Sequence, residues 1–201
     1  MLAQMRRPPN LITAIRFVSI PILWVFALLE RPLLIGIGLI VAGVSDSLDG
    51  WLARRMNLTS SFGSKFDSIA DHTLQLSTVV WMLMLRPEIF SENGWLAYTA
   101  LGLNLLSLLV GIVKFKRIAN LHLYLSKLAF LLFFIFTVHA FLFDQYSKIL
   151  LIIACTGIII ASLETIIVQI TRDQVDERIG SLLFSYIDEE HPLRKALRRI
   201  P

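Results

Sequence analysis

Residues Ser45–His72 read SDSLDGWLARRMNLTSSFGSKFDSIADH, and they hold four aspartates, Asp46, Asp49, Asp67 and Asp71. The chain around them is strongly apolar, with 56% hydrophobic residues, 17% charged residues and a mean hydropathy of +0.70. That balance fits an integral membrane protein and not a soluble core. Each aspartate at membrane depth costs about 2.5–3.5 kcal/mol, so four cost on the order of 10 kcal/mol before repulsion is added. A charge cluster that costly needs a compensating partner.

Spacing shows where the carboxylates point. Asp46, Asp49 and Ala53 stand at i, i+3 and i+7, with Gly50 beside them; Gly63, Asp67 and Asp71 stand at i, i+4 and i+8. Each set lies along one face of a helix. A short polar stretch joins the helices, so they are expected to be antiparallel neighbours with two carboxylates from each converging. Arg54, Arg55 and Lys65 offset part of the repulsion. A divalent cation offsets it better, because carboxylate oxygens are preferred ligands of Mg²⁺ and Mn²⁺. Two such ions suit phosphoryl chemistry. The small residues Gly50, Ala53 and Gly63 leave room for a ligand or a backbone to come close.

Hydropathy divides the chain into six candidate spans, at about 11–30, 32–53, 65–85, 95–113, 121–143 and 148–170. Breaks fall at Glu30-Arg31-Pro32, Arg54–Ser64, Arg86-Pro87-Glu88, Lys114-Phe115-Lys116-Arg117 and Asp144-Gln145. The predicted architecture is all-α and polytopic, with residues 1–170 as a six-helix transmembrane catalytic domain. Residues 171–201 form a cytoplasmic or interfacial tail, in which Val175, Ile179, Leu182, Leu183, Tyr186 and Ile187 recur at helical spacing against a charged face. Arg6, Arg7, Arg54, Arg55, Lys65, Lys114, Lys116, Arg117 and Arg172 fall on one side; Arg31, Arg86 and Lys148 fall on the other. The positive-inside rule places both termini and the aspartates at the cytoplasmic face. The N-terminus lacks the pattern of a cleaved signal, and the first segment reads as a retained span. The net charge of +4 is carried between spans, which speaks against nucleic acid as a partner. Cys155, the single cysteine, reads as a small buried hydrophobe.

The pattern Asp46-x2-Asp49-Gly50-x2-Ala53-Arg54-x8-Gly63-x3-Asp67-x3-Asp71 resembles, with every position filled, the signature of the class I CDP-alcohol phosphatidyltransferases. Upstream, Pro9-Asn10-Leu11-Ile12-Thr13-Ala14-Ile15-Arg16 resembles the start common in bacterial members. The resemblance implies transfer of a phosphatidyl group from CDP-diacylglycerol to an alcohol with release of CMP, in a homodimer in the bacterial inner membrane. Asp46, Asp49 and Asp67 would bind two metal ions, Asp71 would join the second, and Asp71 would deprotonate the acceptor. Asn10, Thr13, Gly50, Ala53, Arg54, Ser60 and Gly63 would hold the CDP part. Glycerol 3-phosphate is the expected acceptor. Serine and inositol phosphate are alternatives, because Ser68 stands where phosphatidylglycerophosphate synthases usually carry proline.

Two residues outside the signature bear on the acceptor. Lys127 would hold a phosphate or else snorkel to headgroups. Glu164, an intramembrane carboxylate, would pair with Lys127 or line the acceptor pocket. Asn104 reads as interhelical glue and His139 as a packed histidine. The rival classes are an intramembrane prenyltransferase, which would release pyrophosphate, and a cation channel or carrier, which would have no nucleotide affinity.

Overall fold

The computed structural model describes residues 8–55, 61–115 and 123–171; for 8–17, 46–47, 49–55, 61–68 and 71–72 it describes the backbone path only. The described residues form six helices: α1 (Pro8–Leu28), α2 (Pro32–Arg55), α3 (Ser61–Leu85), α4 (Pro87–Phe115), α5 (Tyr124–Leu142) and α6 (Lys148–Thr171). The all-α expectation holds. Three of them, α4, α5 and α6, are long and apolar enough to cross a membrane. The described apolar runs of α1–α3 are shorter, Val18–Leu28, Pro32–Ser45 and Thr73–Leu85.

Several boundaries differ from the hydropathy reading. The polar stretch Arg54–Ser64 is not a loop throughout: α2 continues to Arg55 and α3 begins at Ser61. The fourth helix starts at Pro87, not near residue 95. Hydropathy reports affinity for lipid, whereas a helix needs only a satisfied backbone, and Arg, Ser and Glu satisfy that condition outside the hydrocarbon. Prolines open α1, α2 and α4, where a missing N–H costs nothing.

The turn between α1 and α2 is built from backbone hydrogen bonds. Arg31 N donates to Phe26 O at 2.9 Å and Glu30 N to Ala27 O at 3.1 Å, with Glu30 at φ 54°. This is the Schellman pattern, in which the left-handed residue satisfies the last carbonyls of the helix. Glycine usually takes that place; here Glu30 bears a cost of about 1 kcal/mol.

The chain divides into two units, Met1–Glu92 with Thr137–Ser147, and Asn93–Phe136 with Lys148–Pro201. The division falls within α4 at Asn93, the one residue of that helix with non-helical angles (φ −129°, ψ 31°). In the first unit α1 packs against both α2 and α3. A Cβ on Gly38 of α2 would collide with the Leu23 side chain of α1. The next residue of α1, Trp24, donates from Nε1 to Ser77 Oγ of α3 at 3.0 Å and meets Trp81 edge-on at 5.7 Å between centroids. Leu23, Ser77 and Trp81 are buried.

Arg86, between α3 and α4, donates from Nη2 to Phe143 O at 2.6 Å and from Nη1 to Asp144 O at 3.0 Å. These are carbonyls at the C-terminal end of α5, which lack helical partners and attract a cation. Tyr146 OH donates to Glu92 Oε2 at 2.8 Å and ties the same connection a second time. Arg86→Ala is expected to cost about 2–4 kcal/mol by removing two charge-assisted hydrogen bonds. Thermal unfolding in detergent measures it, and an unshifted midpoint would show that the clamp does not hold the fold.

In the second unit, Ser126 Oγ of α5 and Thr165 Oγ1 of α6 lie 3.4 Å apart, and a Cβ on Gly157 would rest 3.7 Å from Ala129. Lys114 Nζ at the end of α4 donates to Ile170 O near the end of α6 at 2.9 Å. Small residues and hydroxyls of this kind let helices approach where lipid supplies no hydrophobic drive.

Candidate active site

Asp46, Asp49, Gly50, Ala53 and Arg54 all lie within the single helix α2; Gly63, Asp67 and Asp71 all lie within α3. At about 100° per residue, Asp46, Asp49, Gly50 and Ala53 fall within an arc of roughly 100° on α2, and Gly63, Asp67 and Asp71 within roughly 80° on α3. The helical registers expected from spacing are therefore present in the backbone. Their side chains belong to the backbone-only positions.

The packing of α1 against α2 and α3 gives the two aspartate pairs a common reference level. Leu23 meets Gly38 and its neighbour Trp24 meets Ser77, so Gly38 on α2 and Ser77 on α3 stand at one level. From that level Asp46 lies about 12 Å along α2 and Asp49 about 16 Å. Along α3, Asp71 lies about 9 Å and Asp67 about 15 Å from Ser77, toward the start of the helix. Ser77 sits about 24 Å into α3, yet it is level with a residue well before the end of α2, so α3 must run back alongside α2. Counted along each helix from that contact, Asp46 and Asp71 stand at similar distances, as do Asp49 and Asp67.

Hydroxyls flanking the aspartates in sequence are occupied by their own helices. Ser45 Oγ donates to Val41 O at 2.7 Å and Thr73 Oγ1 to Ile69 O at 2.7 Å. Such back-bonding satisfies a hydroxyl without calling on a ligand or a neighbouring helix. Ala70, between Asp67 and Asp71 in sequence, is fully buried, whereas Ile69 is exposed.

The remaining expected residues are distributed as follows. Asn10 and Thr13 lie on the first turns of α1, at backbone-only positions. Ser60 lies outside the described residues, as does the tail 172–201. Lys127 and Glu164 lie in the second unit, on α5 and α6. Lys127 is exposed, Glu164 is half-buried, and among the described residues the two form no ion pair with each other. Sequence reasoning missed Leu23, Trp24, Ser77 and Trp81, through which α1 meets α2 and α3. The one visible trace of that contact is the small-residue pattern Gly36-x-Gly38.

The family model for CDP-alcohol phosphatidyltransferase matches residues 7–162. The chain belongs to the CDP-alcohol phosphatidyltransferase family. Among curated relatives, a CDP-diacylglycerol--glycerol-3-phosphate 3-phosphatidyltransferase of Rickettsia bellii is 33% identical over 84 residues, 40% of this chain and 46% of that protein. A protein of the same name from Rickettsia typhi is 33% identical over 88 residues, covering 42% and 49%. A cardiolipin synthase (CMP-forming) of Streptomyces coelicolor is 41% identical over 81 residues, 36% of each chain. The chain spans about half the length of the Rickettsia relatives it matches. No solved structure matches it. The family match takes in all of α1–α5 from Pro8 onward and both aspartate pairs, so the signature and the helices that carry it fall in the matched region.

Proposed function

We propose that this phosphatidyltransferase moves the phosphatidyl group of CDP-diacylglycerol to the hydroxyl of glycerol 3-phosphate and releases CMP. The observation that carries the reading is the complete family signature, with two aspartates on α2 and two on α3 inside the matched region. The names of the Rickettsia relatives supply the acceptor.

In the proposed reaction the acceptor oxygen bonds to the phosphorus next to diacylglycerol. The bond from that phosphorus to the bridging oxygen breaks, and CMP takes the bond's electrons. Asp71 receives the acceptor's proton, which turns a poor nucleophile into a good one. Asp46, Asp49, Asp67 and Asp71 fit a divalent-metal site by donor chemistry, being hard carboxylate oxygens, two from each of two successive helices. Bound Mg²⁺ or Mn²⁺ supplies charge neutralisation on the pyrophosphate as CMP departs. Arg54, Asn10, Thr13 and Ser60 hold the nucleotide, and Gly50, Ala53 and Gly63 give it room.

The same reading assigns six spans to residues 1–170 and an interfacial tail to 171–201, in a homodimer in the bacterial inner membrane. The aspartate end then faces the cytoplasm, where lipid tails and soluble cytidine nucleotide can both be reached. A second acceptor is supported by the Streptomyces match, whose name marks formation of cardiolipin and CMP.

The test is purified protein in lipid with CDP-diacylglycerol, Mg²⁺ or Mn²⁺ and a panel of acceptors: glycerol 3-phosphate, serine, inositol phosphate and phosphatidylglycerol. CMP release with glycerol 3-phosphate is expected to exceed the others. Release with phosphatidylglycerol alone would move the protein to the second reading. Release of pyrophosphate, or of nothing, would overturn the transferase assignment.

A further inference from the structure

The hydroxyl of Ser77 stands where α3 can be fixed lengthwise against α1. On α3, Ala70, Ser77 and Trp81 fall at i, i+7 and i+11, within an arc of roughly 40°. All three are buried. This line runs beside the aspartate positions: Ala70 lies between Asp67 and Asp71 in the chain and about 60° from Asp67 around the helix. Along it, among the described residues, one polar bond leaves the helix, from Trp24 Nε1 of α1 to Ser77 Oγ at 3.0 Å. The rest of the line is alkyl or ring. Trp81 meets Trp24 edge-on, and its own Nε1 is buried with no hydrogen-bond partner among the described residues. Thr78, next to Ser77, gives its hydroxyl to Leu74 O within α3 at 2.8 Å.

Apolar side chains alone hold the lengthwise register of two helices weakly in a bilayer, because lipid replaces them at little cost. A hydrogen bond is directional and short-ranged. A slip of one residue moves α3 by about 1.5 Å and breaks the Trp24–Ser77 bond. Asp67 and Asp71 belong to the same helix and move with it. Asp46 and Asp49 do not follow, because α2 is held at the adjacent residue of α1, where Leu23 occupies the space that a Cβ on Gly38 would take. All of these residues lie in one unit of the chain. The cost of such a slip depends on the ion. Mg²⁺ demands near-ideal octahedral geometry at about 2.0–2.1 Å, whereas Ca²⁺ accepts irregular shells at about 2.3–2.6 Å.

We propose that the Trp24–Ser77 hydrogen bond is the register lock of the cation site. Trp24 is a positioning residue: through the α3 backbone it keeps Asp67 and Asp71 in place against Asp46 and Asp49 of α2. The inference rests on the proposed function, in which those four carboxylates hold the cation.

Calorimetric titration of Mg²⁺ and of Ca²⁺ into the purified full chain in lipid tests it. Trp24→Phe keeps an aromatic ring and removes the donor; Ser77→Ala removes the acceptor. Each is expected to weaken Mg²⁺ binding about ten-fold and Ca²⁺ binding about three-fold at most, and the double variant to match either single one. Trp81→Phe is the packing control. It removes an indole N–H without a partner, and it is expected to lower the thermal midpoint while the ratio of Mg²⁺ to Ca²⁺ affinity stays at the wild-type value. Unchanged Mg²⁺ affinity in Trp24→Phe overturns the lock. Equal losses for both ions, an additive double variant, or the same change of ratio in Trp81→Phe overturn it too, since each marks general loosening. Asp67→Asn reports on the reading beneath. If it binds Mg²⁺ as tightly as wild type, the proposed function fails and the lock with it. If Mg²⁺ affinity falls in Asp67→Asn but not in Trp24→Phe, the lock alone is removed.

Discussion

Asp71→Asn lowers turnover by about 10²–10⁴-fold while CDP-diacylglycerol still binds, the expected result when a general base is lost and the binding site survives. Asparagine keeps the size of the side chain and an oxygen able to meet a cation, but it cannot take up the acceptor's proton at neutral pH. Asp71 is the aspartate nearest the Leu23–Trp24 level, and so it stands deepest of the four in the helix pair. The measurement is CMP release under saturating acceptor, beside a titration of CDP binding to the same preparation. Turnover near the wild-type rate would remove Asp71 from the role of base; loss of CDP binding in step with turnover would make it a metal ligand first.

Removal of the divalent cation is expected to abolish activity, with Mg²⁺ or Mn²⁺ restoring it. In the proposed site the four carboxylates converge, and without a cation that convergence carries a cost that grows as water is excluded. Asp46→Asn and Asp67→Asn each remove a proposed charged ligand from a different helix. Each is expected to weaken metal and nucleotide binding together, by at least ~100-fold, since loss of even an outer-shell partner costs 10–100-fold. Calorimetric titration of Mn²⁺, followed by CDP in its presence, separates the two steps. Full activity in chelator, or nucleotide affinity that survives while metal affinity falls, would break the link between the carboxylates and the pyrophosphate.

Much of this was legible in the sequence because the informative residues obey local rules. The i, i+3 and i+4 spacings of the aspartates need only a helix to become faces, and both segments are helical. The breaks at Glu30-Arg31-Pro32 and near Asp144 were legible because proline and charge interrupt lipid-soluble runs. Contacts between distant residues were not. Nothing local to Trp24 indicates that it meets Ser77, since an indole in an apolar run fits a lipid-facing, interfacial or buried place equally well. Arg86 read as a charge that sets orientation, yet its guanidinium caps the end of α5. The start of α4 at Pro87 was missed because Glu88, Ser91, Glu92 and Asn93 lower hydropathy without opposing a helix. Lys127 showed its charge in the sequence but not that it is exposed on α5.

The adjacency of Leu23 and Trp24 has a mechanical consequence. Both aspartate-bearing helices pack along a third, so a change in bilayer thickness that tilts α1 is expected to carry α2 and α3 with it. Under the proposed reading, the spacing of the carboxylates then depends on this three-helix packing more than on the lipid mixture that the product would alter.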